Sequence, residues 1–172
     1  MTAYFRRQLV DYVEYHRDPW NCWAHVVGIT FLFLGATLPL TMWTLPVFGG
    51  HVTVAMLLAL PVLIYWLVLD PVLGLAILCS AVALLSVAAA IVANASVPVI
   101  WALTVVLIVI GVTAQVVGHK IFEHRKPSMA DHPAHFLLGP PFVMAKLFIA
   151  LGFRHDLAVI IGPVPASYPG NR

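Results

Sequence analysis

Four long apolar runs follow one another along the chain, at roughly Trp23–Thr44, Val52–Leu69, Val72–Ala93 and Val99–Gly118. Apart from a few polar residues, chiefly at the ends of the first and fourth, each is apolar throughout. An uncharged run of about 20 such residues crosses the hydrocarbon of a bilayer as a helix. Between Pro19 and Gly118 the single formal charge is Asp70. Ahead of the runs, residues 2–17 alternate differently. Tyr4, Phe5, Leu9, Tyr12 and Val13 make one apolar side, and Arg6, Arg7, Asp11 and Glu14 stay wet, which predicts a short helix lying at the membrane interface.

The punctuation between runs sets the topology. Asp18-Pro19 is a break and a restart, because Asp caps the next helix and Pro suits its first position. Asp70-Pro71 leaves so little chain that the second and third spans form an antiparallel hairpin. Asn94–Pro98 makes the next turn, and Pro39 and Pro61 kink their spans. Ser80 and Ser86, in an Ala- and Val-rich third span, suit close helix packing. Phe136–Gly152 is apolar, but Gly139-Pro140-Pro141 interrupts it and Lys146 lies within it. It reads as a re-entrant or interfacial helix that returns to the same face, followed by an irregular tail from Pro163. No internal repeat is visible, which counts against an inverted-repeat transporter. The expected fold is all-α: a polytopic membrane helix bundle of four transmembrane helices, an N-terminal interfacial helix and a C-terminal re-entrant or interfacial helix. It forms a single integral membrane domain over 1–172, divided into 1–18, 19–118, a histidine-rich segment 119–136, and 137–172.

Composition sharpens this. Of 172 residues, 62% are hydrophobic and 9% charged, against about a quarter charged in a soluble domain. All nine Lys and Arg lie outside the four runs. By the positive-inside rule both flanks, and so both termini, face the cytoplasm. That requires an even number of crossings, in agreement with four. The charges preceding the first run leave no cleavable signal peptide. The sequence pI near 8.7 fits contact with anionic lipid and not with nucleic acid. Cys22 and Cys79 read as small hydrophobes without a disulfide.

Candidate chemistry gathers at one membrane face. Four of the eight histidines fall in residues 118–136, where the fourth run leaves the membrane. Gln115, His119 and Glu123 stand at successive i, i+4 positions. His132 and His135, just after Asp131, stand at i, i+3 and can face one partner. At the other end of the sequence His16 precedes the break, and Asn21, His25 and Gly28 run up one face of the first span. The break lets His16 fold back beside His25. Several neutral imidazoles with one carboxylate and no thiolate suit Fe(II) or Zn(II). For any single histidine a structural role is the commoner outcome, but histidines from both ends meeting at one face form a stronger signal. Asn21 and Gln115 are open between contacting substrate and hydrogen-bonding between helices. His124 reads as a surface residue, and His51 and His155 as interfacial ones.

The patterns Tyr12-x2-Tyr15-His16-x4-Asn21-x3-His25 and Gln115-x2-Gly118-His119-x2-Phe122-Glu123-x-Arg125-x-Pro127-x3-Asp131 resemble the membrane 2-hydroxy fatty acid dioxygenase family. Gly139-Pro140-x-Phe142-Val143 is similar to that family's C-terminal apolar motif. The resemblance implies Fe(II)-dependent α-oxidation, in which a 2-hydroxy fatty acid is shortened by one carbon with O2, in the endoplasmic reticulum or a bacterial inner membrane. It implies His16, His25 and His119 as metal ligands, with Glu123 a fourth ligand or catalytic base; His132 and His135 are further metal candidates by their own chemistry and not by the resemblance. Asn21, Gln115 and Arg125 are the candidate substrate contacts, with Arg125 (or Lys126) open between steering the carboxylate and contacting anionic lipid. Lys146 departs from the pattern, standing where the family motif carries an acidic residue. His132 and His135 depart too, replacing amides, and raise the prospect of a second metal. Implied partners are a fatty-acid or other lipid substrate, O2 and membrane lipids. Competing readings are a zinc-dependent membrane lipid hydrolase, a haem-binding electron carrier, and a non-catalytic protein whose histidines pack or bind headgroups.

Overall fold

A computed structural model describes residues 1–47, 49–124 and 133–162. Among them run α1 (Ala3–Glu14), α2 (Pro19–Thr41), a hairpin of β1 (Thr44–Val47) and β2 (Gly50–Thr53), α3 (Val54–Leu69), α4 (Pro71–Asn94) and α5 (Val97–Val117). A π-helical turn (Gly118–Phe122), a 3-10 turn (Pro133–Leu137), α6 (Gly139–Ala150) and α7 (His155–Ile161) complete them. The fold is all-α apart from the hairpin. The tail expected to be irregular lies outside the described residues.

The punctuation residues act as the sequence predicts. Asp18 accepts from the N–H groups of Trp20 (2.7 Å) and Asn21 (3.2 Å) and starts α2 with Pro19. Asp70 does the same for Val72 and Leu73 at 3.1 Å each and starts α4. α2 and α5 run antiparallel in the closest contact of the bundle. Gly28 and Gly111 face each other so tightly that a Cβ on Gly28 would lie 2.9 Å from the Gly111 carbonyl oxygen. With no net hydrophobic drive inside lipid, such backbone approach is what joins helices. In α4 the small residues Gly74 and Ala88 are the buried ones, while Ser80 and Ser86 are exposed. Their exposed hydroxyls donate to Ala76 O and Val82 O one turn back.

Three helical stretches, Pro19–Thr41, Pro71–Asn94 and Val97–Phe122, are long and apolar enough to cross a membrane. The second expected span differs. Its first residues pair in the hairpin, with Thr44 opposite Thr53 and Val47 opposite Gly50, leaving α3 only 16 residues, or about 24 Å of rise. Trp43, β-branched Thr44, Val47, Val52 and Thr53, and Pro46 favour extended backbone over helix at this turn.

The main core lies at the histidine end. There Phe5, Leu9, Tyr12 and Val13 of α1 pack with Trp66 and Leu69 of α3, Leu73 of α4, Phe142 of α6 and Leu157 of α7. The apolar side of α1 is thus turned into the protein rather than onto lipid, with Phe5 and Leu9 wholly buried. Tyr4, assigned to the same side, is exposed. A smaller cluster of Leu38, Ala88 and Ile100 closes the far end. α6, with 12 residues, rises about 18 Å, short of the ~30 Å hydrocarbon core. Its buried Phe142 and Ala145 face this core, and Gly152, at φ 80°, allows the chain to reverse into α7.

Candidate metal centre

Three backbone features converge on one point. After α1 the chain folds back, and His16 N donates to Val13 O at 3.0 Å. This brings the His16 ring beside the first turns of α2, where His25 stands one turn beyond Asn21. At the end of α5 the π turn, in which Glu123 N reaches Gly118 O at 3.4 Å, carries His119 to the same place. π turns recur where a helix must aim a functional side chain. Gly118 is required there, because a Cβ would collide with the Asn21 side-chain oxygen.

The rings of His16, His25 and His119 meet at centroid distances of 4.5, 4.8 and 4.8 Å, all close to edge-on. All three are buried, and one nitrogen from each lies within 4.8 Å of the others. The hydrogen bonds fix two tautomers. His16 Nδ1 lies 2.9 Å from Tyr12 O and His25 Nδ1 lies 3.0 Å from Asn21 O. Carbonyl oxygens only accept, so both Nδ1 atoms carry the proton. Both Nε2 lone pairs then point at each other across 3.2 Å. Burial first, and the neighbouring His25 second, push the pKa of His16 far below the usual imidazole range, so no proton relieves the conflict near neutral pH. His119 Nδ1 is buried with no hydrogen-bond partner. Converging lone pairs in a buried site, two of them oriented by backbone carbonyls, fit a divalent cation. The same crowding leaves no room for a porphyrin between any two of these rings.

The surrounding residues separate into supports and lining. Tyr12 stacks on His16 at 4.0 Å with a 9° interplanar angle and supplies its carbonyl acceptor, a double role that the sequence reading missed. Phe142 packs against the same ring at 5.4 Å. Glu123, expected as ligand or catalytic base, is outside the converging set. Its Oε1 accepts from Asp18 N (2.8 Å) and Asn21 Nδ2 (3.1 Å), so it clamps the π turn to the start of α2. The π turn breaks the i, i+4 alignment with His119 assumed from sequence. Asn21 is fully buried behind that clamp, which favours its interhelical role over substrate contact. A cavity of about 240 Å³ adjoins the histidines, and its polar lining comprises Tyr12, His16, His25, Gln115, His119 and His135. Gln115 is thus placed where a substrate contact is expected. His135 is buried at the cavity wall, its ring 5.5 Å from that of Tyr12, but its nitrogens do not join the three-histidine set. His132 and Arg125 lie outside the described residues. His51, His124 and His155 are exposed.

Lys146 reaches back to Cys22 Sγ at 2.8 Å and lies 5.1 Å from the Phe142 ring centroid, so it ties α6 to α2. Both cysteines are free, Cys22 buried and Cys79 exposed.

No curated protein and no solved structure matches this chain. The arrangement just described falls within residues 2–151, which match the family described as 2-hydroxy-palmitic acid dioxygenase Mpo1-like. With the match extending over most of its length and across all three converging histidines, the chain belongs to the Mpo1-like family.

Proposed function

We propose that this protein is an iron(II)-dependent membrane dioxygenase that shortens a 2-hydroxy fatty acid by one carbon. The observation that carries the reading is the opposed pair of Nε2 lone pairs of His16 and His25, 3.2 Å apart, with His119 beside them. His16, His25 and His119 would hold the iron through neutral nitrogens, and a substrate with a hydroxyl beside its carboxylate would offer oxygen donors to such a centre. The description of the family names such a substrate. Bound iron(II) supplies the activation of O2. The protein orients the imidazoles through Tyr12 O and Asn21 O, excludes bulk water with Tyr12 and Phe142, and places Gln115 on the cavity wall to hydrogen-bond the substrate's polar end. Overall, the 2-hydroxy acid and O2 give the shortened acid, carbon dioxide and water. The C1–C2 bond breaks, and four electrons leave those carbons to reduce O2.

We infer a four-pass topology from the layout of the helices. α2 starts and α5 ends at the metal centre, and Asp70, between α3 and α4, lies at that end too. The chain therefore traverses the bundle four times, with α3 and the hairpin together forming the second pass. Trp20 and Trp23 at one end of α2 and Trp43 at the other are exposed, as aromatic belts at two interfaces are. Both flanks lie on one side, the cytoplasmic one by their positive charge.

The test is metal content per chain in protein purified anaerobically without chelator, wild type beside His119→Ala, followed by incubation with 2-hydroxy fatty acids and O2. Near-stoichiometric iron that is lost in the variant, with release of the one-carbon-shorter acid by the wild type, is the expected result. Stoichiometric zinc and no O2 consumption would move the assignment to a hydrolase. Absence of any metal would sink the metal-centre reading.

A further inference from the structure

The cavity does not stop at the histidines. Beyond His25 its lining continues along α2 through Ile29, Leu32, Phe33 and Ala36, positions i+4, i+7, i+8 and i+11 from His25 and therefore one stripe of the helix. Eleven residues rise about 16 Å, the length of roughly a dozen carbons of an extended alkyl chain. The two ends of the stripe differ. Near the histidines, Gly139 and Pro140 of α6 close over Ile29, and the approach is so tight that a Cβ on Gly139 would lie 2.8 Å from Ile29 Cδ1. Farther along, Leu32 is half-buried against Gly111 of α5, while Phe33, whose ring lies 6.4 Å from that of Trp66 of α3, and Ala36 are exposed on the outer side. α2 is long and apolar enough to cross a membrane, so this open part of the groove faces lipid.

Polar donors at one end and an apolar, laterally open groove at the other match one chemistry, a single-chain amphiphile that never leaves the bilayer. We propose that Ile29, Leu32, Phe33 and Ala36 seat the substrate's alkyl tail, which enters sideways from the leaflet where Phe33 and Ala36 are exposed. This rests on the head-group chemistry proposed above, but its geometry stands separately. The contact between Ile29 and Gly139 walls the cavity beside the first carbons, so branching there is excluded. Carbons beyond Ala36 lie in lipid and add nothing. Binding therefore strengthens with tail length only until the stripe is covered, and then levels off. A closed pocket would instead give a sharp upper cutoff.

The test uses metal-loaded protein in liposomes and 2-hydroxy fatty acids of graded length carrying a mid-chain diazirine, dosed by mole fraction of lipid. Photolabelling on the Ile29–Ala36 peptide, displaced by unlabelled 2-hydroxy acid, is expected. The lipid-facing substitution Ala36→Trp should cut that labelling severalfold and shift preference to shorter chains while metal content is unchanged. Labelling spread equally over the lipid faces of α4 and α5, insensitivity to Ala36→Trp, or a sharp length cutoff would each overturn the tail seat. A fatty acid probe without the 2-hydroxyl separates the two ideas. If that probe labels the stripe and is displaced equally by hydroxylated and plain acids, the seat stands and the 2-hydroxy acid reading fails.

Discussion

Two buried polar clusters sit near the same end of this bundle, and they are built on opposite principles. At Asp70 everything is satisfied. Oδ1 accepts from Val72 N, Leu73 N and Arg154 Nη1, and Oδ2 accepts from Arg154 Nη2 at 2.9 Å. Arg154 also holds Asp156 through Nε at 2.9 Å and Nη2 at 2.8 Å. At His16, His25 and His119 the outer nitrogens of the first two rings are tied down, and the inner ones oppose each other with no proton to share. A buried ion pair in this geometry is a finished structural joint, whereas a buried cluster of converging lone pairs is able to hold a cation. The difference separates a lock from a binding site better than burial does, since Asp70 and His16 are equally hidden, at 2% and 1% exposure.

The comparison breaks most visibly at His119. In the loaded protein, His119→Leu should cost more than about 100-fold in metal affinity, because supporting residues alone account for roughly 10–100-fold at such sites. In metal-free protein the same substitution should leave the melting temperature in detergent unchanged or raised, since a buried polar group without a partner is replaced by an apolar one. A clear destabilisation of the metal-free protein would contradict the binding-site reading. Asp70→Ala is the mirror case. It takes away Arg154's buried partner, leaving it the exposed Asp156, and uncaps α4, for a loss of about 2–3 kcal/mol, while the chains that still fold keep their metal.

The acid limb of stability gives a third contrast. Burial of Asp70 opposes its ionisation, but the Arg154 guanidinium and the Leu73 N–H outweigh this and hold its pKa below the usual carboxylate value. A depressed folded-state pKa stabilises above the unfolded value and loses that contribution as pH falls through the folded one. Unfolding titrations of wild type should therefore weaken below about pH 4, and Asp70→Asn should flatten that limb. Smaller effects follow at the supports. Glu123→Ala releases Asp18 N and Asn21 Nδ2 and should cost about 1–2 kcal/mol, with roughly tenfold weaker metal binding by equilibrium dialysis. Tyr12→Leu keeps the carbonyl acceptor but removes the stack on His16, for about 1 kcal/mol. Tyr12→Phe should restore it.

Local chemistry determined much of this from the sequence alone. Absence of charge between Pro19 and Gly118, broken only at Asp70, dictates apolar helices in lipid, and Asp-Pro at 18–19 and 70–71 marks where two of them start. Those signals act within a few residues, and the observed starts follow them. His16, His25 and His119 are legible as a group because a break before one helix and the exit of another bring them to one face. The rest depended on contacts between distant segments. No local pattern distinguishes His135, at the cavity wall, from His119, in the cluster. The π turn that separates Glu123 from His119 arises where Gly118 packs against Asn21, over 90 positions apart in sequence. The hairpin forms where β-branched residues flank a turn, a weak preference that pairing decides. The role of Tyr12 needs the fold-back of the chain after α1, and Arg154 meets Asp70 only because α6 and α7 close over the bundle. Sequence sets which residues are apolar, capped or able to bind a metal, since those are properties of single side chains and near neighbours. Which lone pairs converge, and which are already satisfied, is a matter of ångströms between remote segments, and only the packed structure decides it.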